Sequence, residues 1–173
     1  MVRPLVIVAL LLLASGCYNA PDPGSGPSGG GPGTLAGAPA QSFDVVRTDG
    51  RTDSLAAHRG EVVLMNLWAT WCPPCREEMP ALEQFARRYA GRVTVLSVDQ
   101  GEAASVAAAY AKERGVTFPV LVDEKQRYGG TYAAIGLPTT VIVGRDGHIV
   151  RGIDGAMTFD QMRAAVAPAL AAK

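Results

Sequence analysis

The sequence predicts an α/β fold in which helices cover a β-sheet. From residue 62 onward, short apolar runs rich in β-branched residues alternate with longer helical patterns, an order typical of parallel strands joined by helices. Ahead of them, residues of alternating character followed by Asp49-Gly50 indicate a β-hairpin. With 173 residues, 48% of them apolar, the chain can build one folded domain and an extension.

The N-terminal end of the chain has the organisation of an export signal. Arg3 precedes an apolar run at residues 5–13, which is too short to span a bilayer with ease. The following Ala14-Ser15-Gly16-Cys17 resembles the bacterial lipobox, although Leu is more common than Ala at its first position. We therefore expect residues 1–17 to be a lipoprotein signal peptide with Cys17 as the lipidated residue. An ordinary cleaved signal peptide and an uncleaved anchor are the alternatives, and each of the three exports the domain.

A tether is predicted between this signal and the folded domain. Residues 18–41 consist almost entirely of Pro, Gly, Ser and Ala, and such a segment buries too little apolar surface to offset the entropy of ordering it. We expect it to be disordered, with a typical span of roughly 25–30 Å. The domain that follows is predicted to occupy residues 42–173.

The elements of the domain follow from apolar periodicity and turn residues. After the hairpin, a buried strand at residues 62–65 leads into a helix with apolar residues at three- and four-residue spacing. Val106, Ala109 and Tyr110 are expected on the inner side of the next helix. The elements predicted beyond the first helix are a strand at 93–99, a helix at 102–114, a strand at 118–123, a short helix or turn at 128–135, strands at 141–143 and 148–151, and a last helix capped by Thr158.

Two cysteines lie at the junction between the buried strand and the first helix. The segment Cys72-Pro73-Pro74-Cys75 places Cys72 at the helix start and Cys75 one turn later. Unpaired N–H groups and the positive end of the helix dipole stabilise an anion at that place, so the pKa of a thiol there is expected to fall. A pair of thiols within disulfide reach at such a junction is a redox switch.

The longer segment around the cysteines is specific enough to indicate a family. Residues 68–76, Trp-Ala-Thr-Trp-Cys-Pro-Pro-Cys-Arg, resemble the active site of the thioredoxin superfamily, and the following Glu77-Glu78-Met79-Pro80 resembles its membrane-tethered TlpA/ResA/CcmG type. The resemblance extends from about residue 43 to the C-terminus. It implies a thioredoxin fold, that is, a central mixed β-sheet flanked by helices, here with an added N-terminal β-hairpin.

The resemblance also implies roles for individual residues. Cys72 is expected to attack a client disulfide, and the less exposed Cys75 to resolve the mixed disulfide. Pro138, at the entrance of a strand, is expected to be cis and to face the cysteines. Client binding is assigned to four residues around the cysteines, namely Trp71, Pro73, Leu137 and Pro138. No metal and no cofactor other than the Cys72–Cys75 disulfide are expected.

One position departs from the thioredoxin pattern. Thioredoxins carry a buried Asp six residues before the first cysteine, and here that residue is Asn66, which cannot exchange a proton. Glu78, on the turn after Cys75, matches the acid of the TlpA/ResA type. We expect it to accept the proton of Cys75. The alternative is a solvated carboxylate in a surface cluster with Arg76 and Glu77.

Other readings of the two cysteines are weaker but distinct. A structural zinc site needs four ligands, and outside the motif the chain offers only Cys17, His58 and His148. An inert structural disulfide is equally disfavoured. A peroxide-reducing enzyme shares the fold but shows a Pro-x-x-x-Thr-x-x-Cys pattern that is missing here. A Cu(I)-binding metallochaperone that uses the dithiol is the remaining alternative.

Composition and resemblance together limit the partners. Acidic and basic residues balance at 16 each, so no positive surface favours nucleic acid. The family implies cysteine-containing clients, such as apocytochrome c or a copper-site protein, and a membrane thiol-reductant donor. The expected function is therefore reduction of protein disulfides in the cell envelope, by a protein lipid-anchored to a bacterial membrane, in cytochrome c or oxidase copper-site maturation.

Overall fold

A computed structural model describes residues 31–172 of the chain. Within these residues one seven-stranded sheet carries four α-helices and two short 3₁₀ turns. The strands are β1 (Val45–Arg47), β2 (Thr52–Asp53), β3 (Val63–Trp68), β4 (Thr94–Gln100), β5 (Val120–Asp123), β6 (Thr139–Val143) and β7 (Ile149–Asp154). The helices are α1 (Pro73–Arg88), α2 (Ala104–Arg114), α3 (Arg127–Thr131) and α4 (Phe159–Ala171).

The sheet is mixed and has the strand order β2-β1-β5-β4-β3-β6-β7. Its centre is parallel, because β4 pairs in parallel with both β3 and β5. The remaining pairs are antiparallel, including the β1–β2 hairpin at one edge and β6–β7 at the other. The expected thioredoxin-like mixed sheet with an added N-terminal hairpin is thereby confirmed.

Each face of the sheet has its own apolar core. Helices α1, α2 and α4 cover one face, where Leu82, Phe85 and Met162 are fully buried. The other face packs against α3 and the N-terminal segments, with Tyr128 and Tyr132 stacked on each other. Because β3 is covered on both faces, all six of its residues are buried, and all of them except Asn66 are apolar. The helix that follows β3 is therefore held firmly at its start.

Part of the predicted tether belongs to the folded domain. The N–H groups of Gly37 and Ala40 donate to the carbonyl groups of Ile149 and Gly147, and Leu35 packs on the core. The predicted domain start at residue 42 is therefore too late in the chain. The composition of this segment is that of a linker, but its backbone forms hydrogen bonds with Gly147 and Ile149 at the start of β7. No local sequence pattern indicates such contacts. The predicted signal peptide with Cys17, and residues 18–30 of the predicted tether, lie outside the described residues.

The inner side of α2 also differs from the prediction. Ala107 is fully buried, Tyr110 packs on the core, and Val106 and Ala109 face solvent. Because α2 is rich in alanine, its faces differ little in hydrophobicity, and its sequence indicates only weakly which face is buried. In the described part of the chain, none of the helices combines the length and apolarity needed to cross a bilayer.

Candidate active site

The two cysteines are joined at the junction of β3 and α1. Cys72 and Cys75 form a disulfide with Cα atoms 5.3 Å apart, and both residues are nearly fully buried. Cys72 is the N-cap of α1. The disulfide therefore lies at the strand-to-helix junction, as the sequence predicts.

The start of α1 directs a backbone donor at the first cysteine. Pro73 and Pro74 occupy the first positions of the helix and have no N–H group. The first N–H group of α1 is therefore that of Cys75, and its nitrogen lies 3.2 Å from Cys72 Sγ. In the reduced protein this donor and the helix dipole both favour a thiolate at Cys72, which supports Cys72 as the attacking sulfur.

The loop before β6 faces the disulfide. The Leu137–Pro138 peptide bond is cis, and the carbonyl oxygen of Leu137 lies 3.5 Å from Cys72 Sγ. Contacts of Thr139 and Gly155 hold this loop. Thr139 Oγ1 lies 2.7 Å from the carbonyl oxygen of Gly136 and 2.9 Å from Asp154 Oδ1, and the N–H of Gly155 donates to the carbonyl of Pro138. The backbone next to Cys72 is therefore presented in a fixed place, where an extended client segment can pair with it.

An open groove with a volume of about 320 Å³ runs along this loop. Trp71, which is 64% exposed, lines it together with Leu137 and the 75% exposed Ile135. Pro73 is also exposed beside the disulfide, whereas Pro138 is buried. The structure thus brings all four predicted client-binding residues to the cysteines, and it adds Ile135, which lies in a loop with no sequence signal of its own.

Glu78 is buried beneath the site rather than exposed. It is 3% exposed, and it lies one helical turn after Cys75 on the inner side of α1. Its carboxylate accepts hydrogen bonds from Asn66 Nδ2 at 3.1 Å and from the N–H of Met157 at 2.9 Å. Asn66 also donates to Thr140 Oγ1 at 3.1 Å. The surface-cluster alternative for Glu78 is therefore wrong.

This environment changes the acidity of Glu78. Burial raises the pKa of its carboxyl to about 7, against the opposing effect of the hydrogen bonds from Met157 and Asn66. A carboxyl with this pKa exchanges protons near neutral pH, which is the condition for efficient general acid–base chemistry. The position beside Cys75 and the acidity of Glu78 thus agree with the role expected from the sequence.

A second acidic cluster near the cysteines was missed by the sequence analysis. Asp99, at the end of β4, is fully buried, and Glu102 follows on the loop to α2. The Glu102 carboxylate accepts hydrogen bonds from both the N–H and the hydroxyl of Thr70, each at 2.6 Å. A signal was present, because the carboxyl ends of parallel strands β3 and β4 meet at one edge of a sheet.

The described residues also bear on two alternative functions, a metal site and a peroxide-reducing cysteine site. Among residues 31–172 no three side chains of His, Cys, Asp or Glu are grouped so that they could hold a metal ion. The hydroxyl of Thr70, two residues before Cys72, is engaged by Glu102. Thr70 is therefore not placed as the threonine of a peroxide-reducing cysteine site.

Comparisons with known proteins agree with this geometry. A model of the AhpC/TSA family matches residues 36–151. Thiol-disulfide oxidoreductase ResA of Bacillus thuringiensis (strain Al Hakam) is 32% identical over 127 residues, which cover 73% of each chain. Thioredoxin-like protein YneN of Bacillus subtilis (strain 168) is 36% identical over 133 residues, covering 75% of this chain and 78% of YneN.

A solved structure gives the same result for the fold. The crystal structure of a thiol:disulfide interchange protein of the thioredoxin family from Chlorobium tepidum TLS matches with a TM-score of 0.68 and 28% identity, covering 76% of this chain and 95% of that one. ResA and the Chlorobium tepidum protein are named for the thiol-disulfide chemistry that the paired cysteines support. The chain belongs to the AhpC/TSA family and, within the thioredoxin-like superfamily, is a thiol-disulfide oxidoreductase of the TlpA/ResA/CcmG type.

Proposed function

We propose that this protein is a membrane-tethered reductant of protein disulfides in the cell envelope. Its clients are proteins whose cysteines must stay reduced before a haem or copper ion is attached, such as apocytochrome c or an oxidase copper-site protein. A membrane thiol donor regenerates the dithiol. This is the role common among domains of the type that the sequence resembles.

The buried Glu78 is the observation that carries the proposal. A reductant must complete its cycle by forming its own disulfide, and this step requires Cys75 to lose a proton in a poorly solvated place. Glu78 lies one turn away on the same face of α1, with a pKa of about 7. It supplies the base for that step near neutral pH.

The reaction moves two electrons to the client. The Cys72 thiolate attacks one sulfur of the client disulfide, and the other client sulfur leaves as a thiolate that takes up a proton. Glu78 accepts the proton of Cys75, whose thiolate attacks Cys72 Sγ and releases the second client thiol. The Cys72–Cys75 disulfide seen in the structure is the product state of this protein.

Replacing Cys75 by Ser is expected to trap clients, because Cys72 can still attack while nothing resolves the mixed disulfide. Cys72→Ser is the matched control, which keeps one thiol but removes the attacker. Affinity-purified Cys75→Ser protein from envelope extracts should carry disulfide-linked clients, identified by mass spectrometry after reduction, that are absent from Cys72→Ser. Clients bound only to Cys72→Ser would reverse the two roles, and trapped proteins without haem or copper sites would overturn the proposed client class.

The membrane tether is proposed from Cys17 alone. Cys17→Ala is expected to abolish acyl labelling and to remove the protein from the membrane fraction or leave it unprocessed. Metabolic labelling with a fatty-acid analogue and cell fractionation test this, with Cys72→Ala as a control that should label normally. Acyl labelling that persists in Cys17→Ala would contradict lipid anchoring.

A further inference from the structure

The loop that carries Cys72 is fastened to an acidic residue outside the disulfide machinery. Thr70 precedes Trp71 and Cys72, and both of its hydrogen-bond donors reach the Glu102 carboxylate. A carboxylate that accepts two bonds from one residue fixes the position of that residue in two directions. The placement of Thr70, and with it the start of α1, therefore depends on Glu102.

Glu102 is in turn held by Asp99. The N–H of Glu102 donates to Asp99 Oδ1 at 3.1 Å, and Asp99 pairs with Trp68 across the β3–β4 ladder. The second oxygen of Asp99, Oδ2, is buried and has no hydrogen-bond partner among the described protein atoms. An ionised carboxylate with a buried unpaired oxygen is costly, whereas a protonated one is a neutral hydrogen-bond donor.

We propose that Asp99 is a positioning residue that keeps a proton at neutral pH and, through Glu102 and Thr70, holds the loop bearing Cys72. The chain of contacts runs from Asp99 to Glu102 and from Glu102 to Thr70. It concerns the disulfide chemistry that the family shares and does not depend on which client is reduced.

The pKa values of Asp99 and Glu102 indicate that the two carboxyl groups carry one negative charge between them at neutral pH. Burial, and then the neighbouring Glu102, raise the pKa of Asp99 to about 8. Burial pushes the pKa of Glu102 upward, but the hydrogen bonds from the hydroxyl and the N–H of Thr70 act in the opposite direction, and the net shift of that pKa is downward. At pH 7 the pair therefore holds a protonated Asp99 beside an ionised Glu102. Above pH 8 both are ionised, and their repulsion weakens the hold on Thr70.

Few other charges face this pair. Among charged groups, Glu102 is the neighbour that shifts the pKa of Asp99. From α2, Tyr110 packs its ring 5.2 Å from that of Trp68, and burial raises the pKa of its hydroxyl. Arg114 of α2 and Arg76 of α1 act in turn on Tyr110. Glu78, with a pKa of about 7, also titrates in this range, but its carboxylate contacts Asn66 and Met157 and not Thr70 or Glu102. Loss of the Asp99 proton is therefore the main change of charge expected in direct contact with Glu102 between pH 7 and 9.

Nuclear magnetic resonance of the oxidised protein tests the proposal, because its cysteines do not titrate. The ¹³C shift of the Asp99 carboxyl and the amide shift of Thr70 should move together between pH 7 and 9. In Asp99→Asn the Thr70 shift should stay constant, since Asn does not titrate and its side-chain oxygen can accept the N–H of Glu102 at every pH. Asp123→Asn is the matched control, a buried strand-end carboxyl of β5 that bonds to Tyr128 instead, and it should leave the Thr70 titration unchanged.

Kinetics of the reduced protein provide a second readout. Asp99→Ala should slow the first attack on a peptide disulfide roughly tenfold at pH 7, since displacing a reacting group by about 1 Å costs up to roughly 10²-fold. Asp99→Asn should stay within about twofold of the wild type, because the side-chain oxygen that accepts the Glu102 N–H is kept. A Thr70 shift that stays constant in the wild type, or titrates equally in Asp99→Asn, would overturn the proposal, and the wild-type measurement needs no variant to fold.

Discussion

Glu78→Gln is expected to slow the resolution of the mixed disulfide roughly 10²-fold, at the low end of general-base effects. The first attack by Cys72 should change much less, because that step uses the donor at the start of α1 and not the carboxyl. In this variant the rate of resolution should therefore fall while the rate of the first attack stays nearly the same. This separation distinguishes a lost base from a disturbed fold, which would slow both steps.

The substitution is compatible with the observed hydrogen bonds. Gln keeps an oxygen to accept the N–H of Met157, and its new N–H₂ group faces Asn66. If Asn66 turns its amide over, its oxygen can accept from the new Gln side chain and from the hydroxyl of Thr140. The buried polar groups thus stay satisfied, and the fold is expected to survive.

Single-turnover kinetics from pH 5 to 8 measure the effect. Mixed disulfide formed with a peptide should decay quickly in the wild type, with a pH profile that reports a group near pH 7, and slowly in Glu78→Gln. Glu77→Gln, an exposed neighbour on the same helix, is the control and should behave as the wild type. Equal decay of wild-type and Glu78→Gln intermediates across this range would remove Glu78 from the reaction.

The parts of the site that sequence predicted are those carried by a continuous segment. Trp71, the cysteines and Glu78 follow one another from the turn after β3 into α1, so a single strand-to-helix junction places them all. Pro138 lies far away in the chain. It was placed by family resemblance, because no local pattern indicates that its loop faces Cys72.

The features that sequence missed depend on tertiary contacts. An aspartate at the end of a strand usually leads into a solvated turn, and nothing local shows that Asp99 is buried against Glu102. The segment around Leu35 has the composition of a linker, yet β7 and the apolar face beside it supply its partners. In both cases the neighbours come from other elements, and local propensity does not predict them.

Burial of Glu78 is also expected to make the oxidised protein less stable as the pH rises from about 4.5 to 7. Its pKa is 4.5 in an ordinary environment and about 7 in the folded protein, so in this window the folded state binds more protons than the unfolded state. Stability falls with pH wherever the folded state holds the extra proton. Since one pKa unit corresponds to about 1.4 kcal/mol, the loss attributable to Glu78 is on the order of 3 kcal/mol.

Glu78→Gln should remove this dependence, because Gln does not titrate. Urea unfolding of the two oxidised proteins at pH 5 and pH 8 gives the comparison. The free energy of unfolding of Glu78→Gln, relative to wild type, should rise by on the order of 3 kcal/mol between the two pH values. Asp99, whose pKa is also raised, lowers the stability of both proteins in the same direction and so cancels in the difference. A relative stability that stays constant from pH 5 to 8 would mean that Glu78 titrates as an exposed carboxyl, and the base proposed for Cys75 would then be absent near neutral pH.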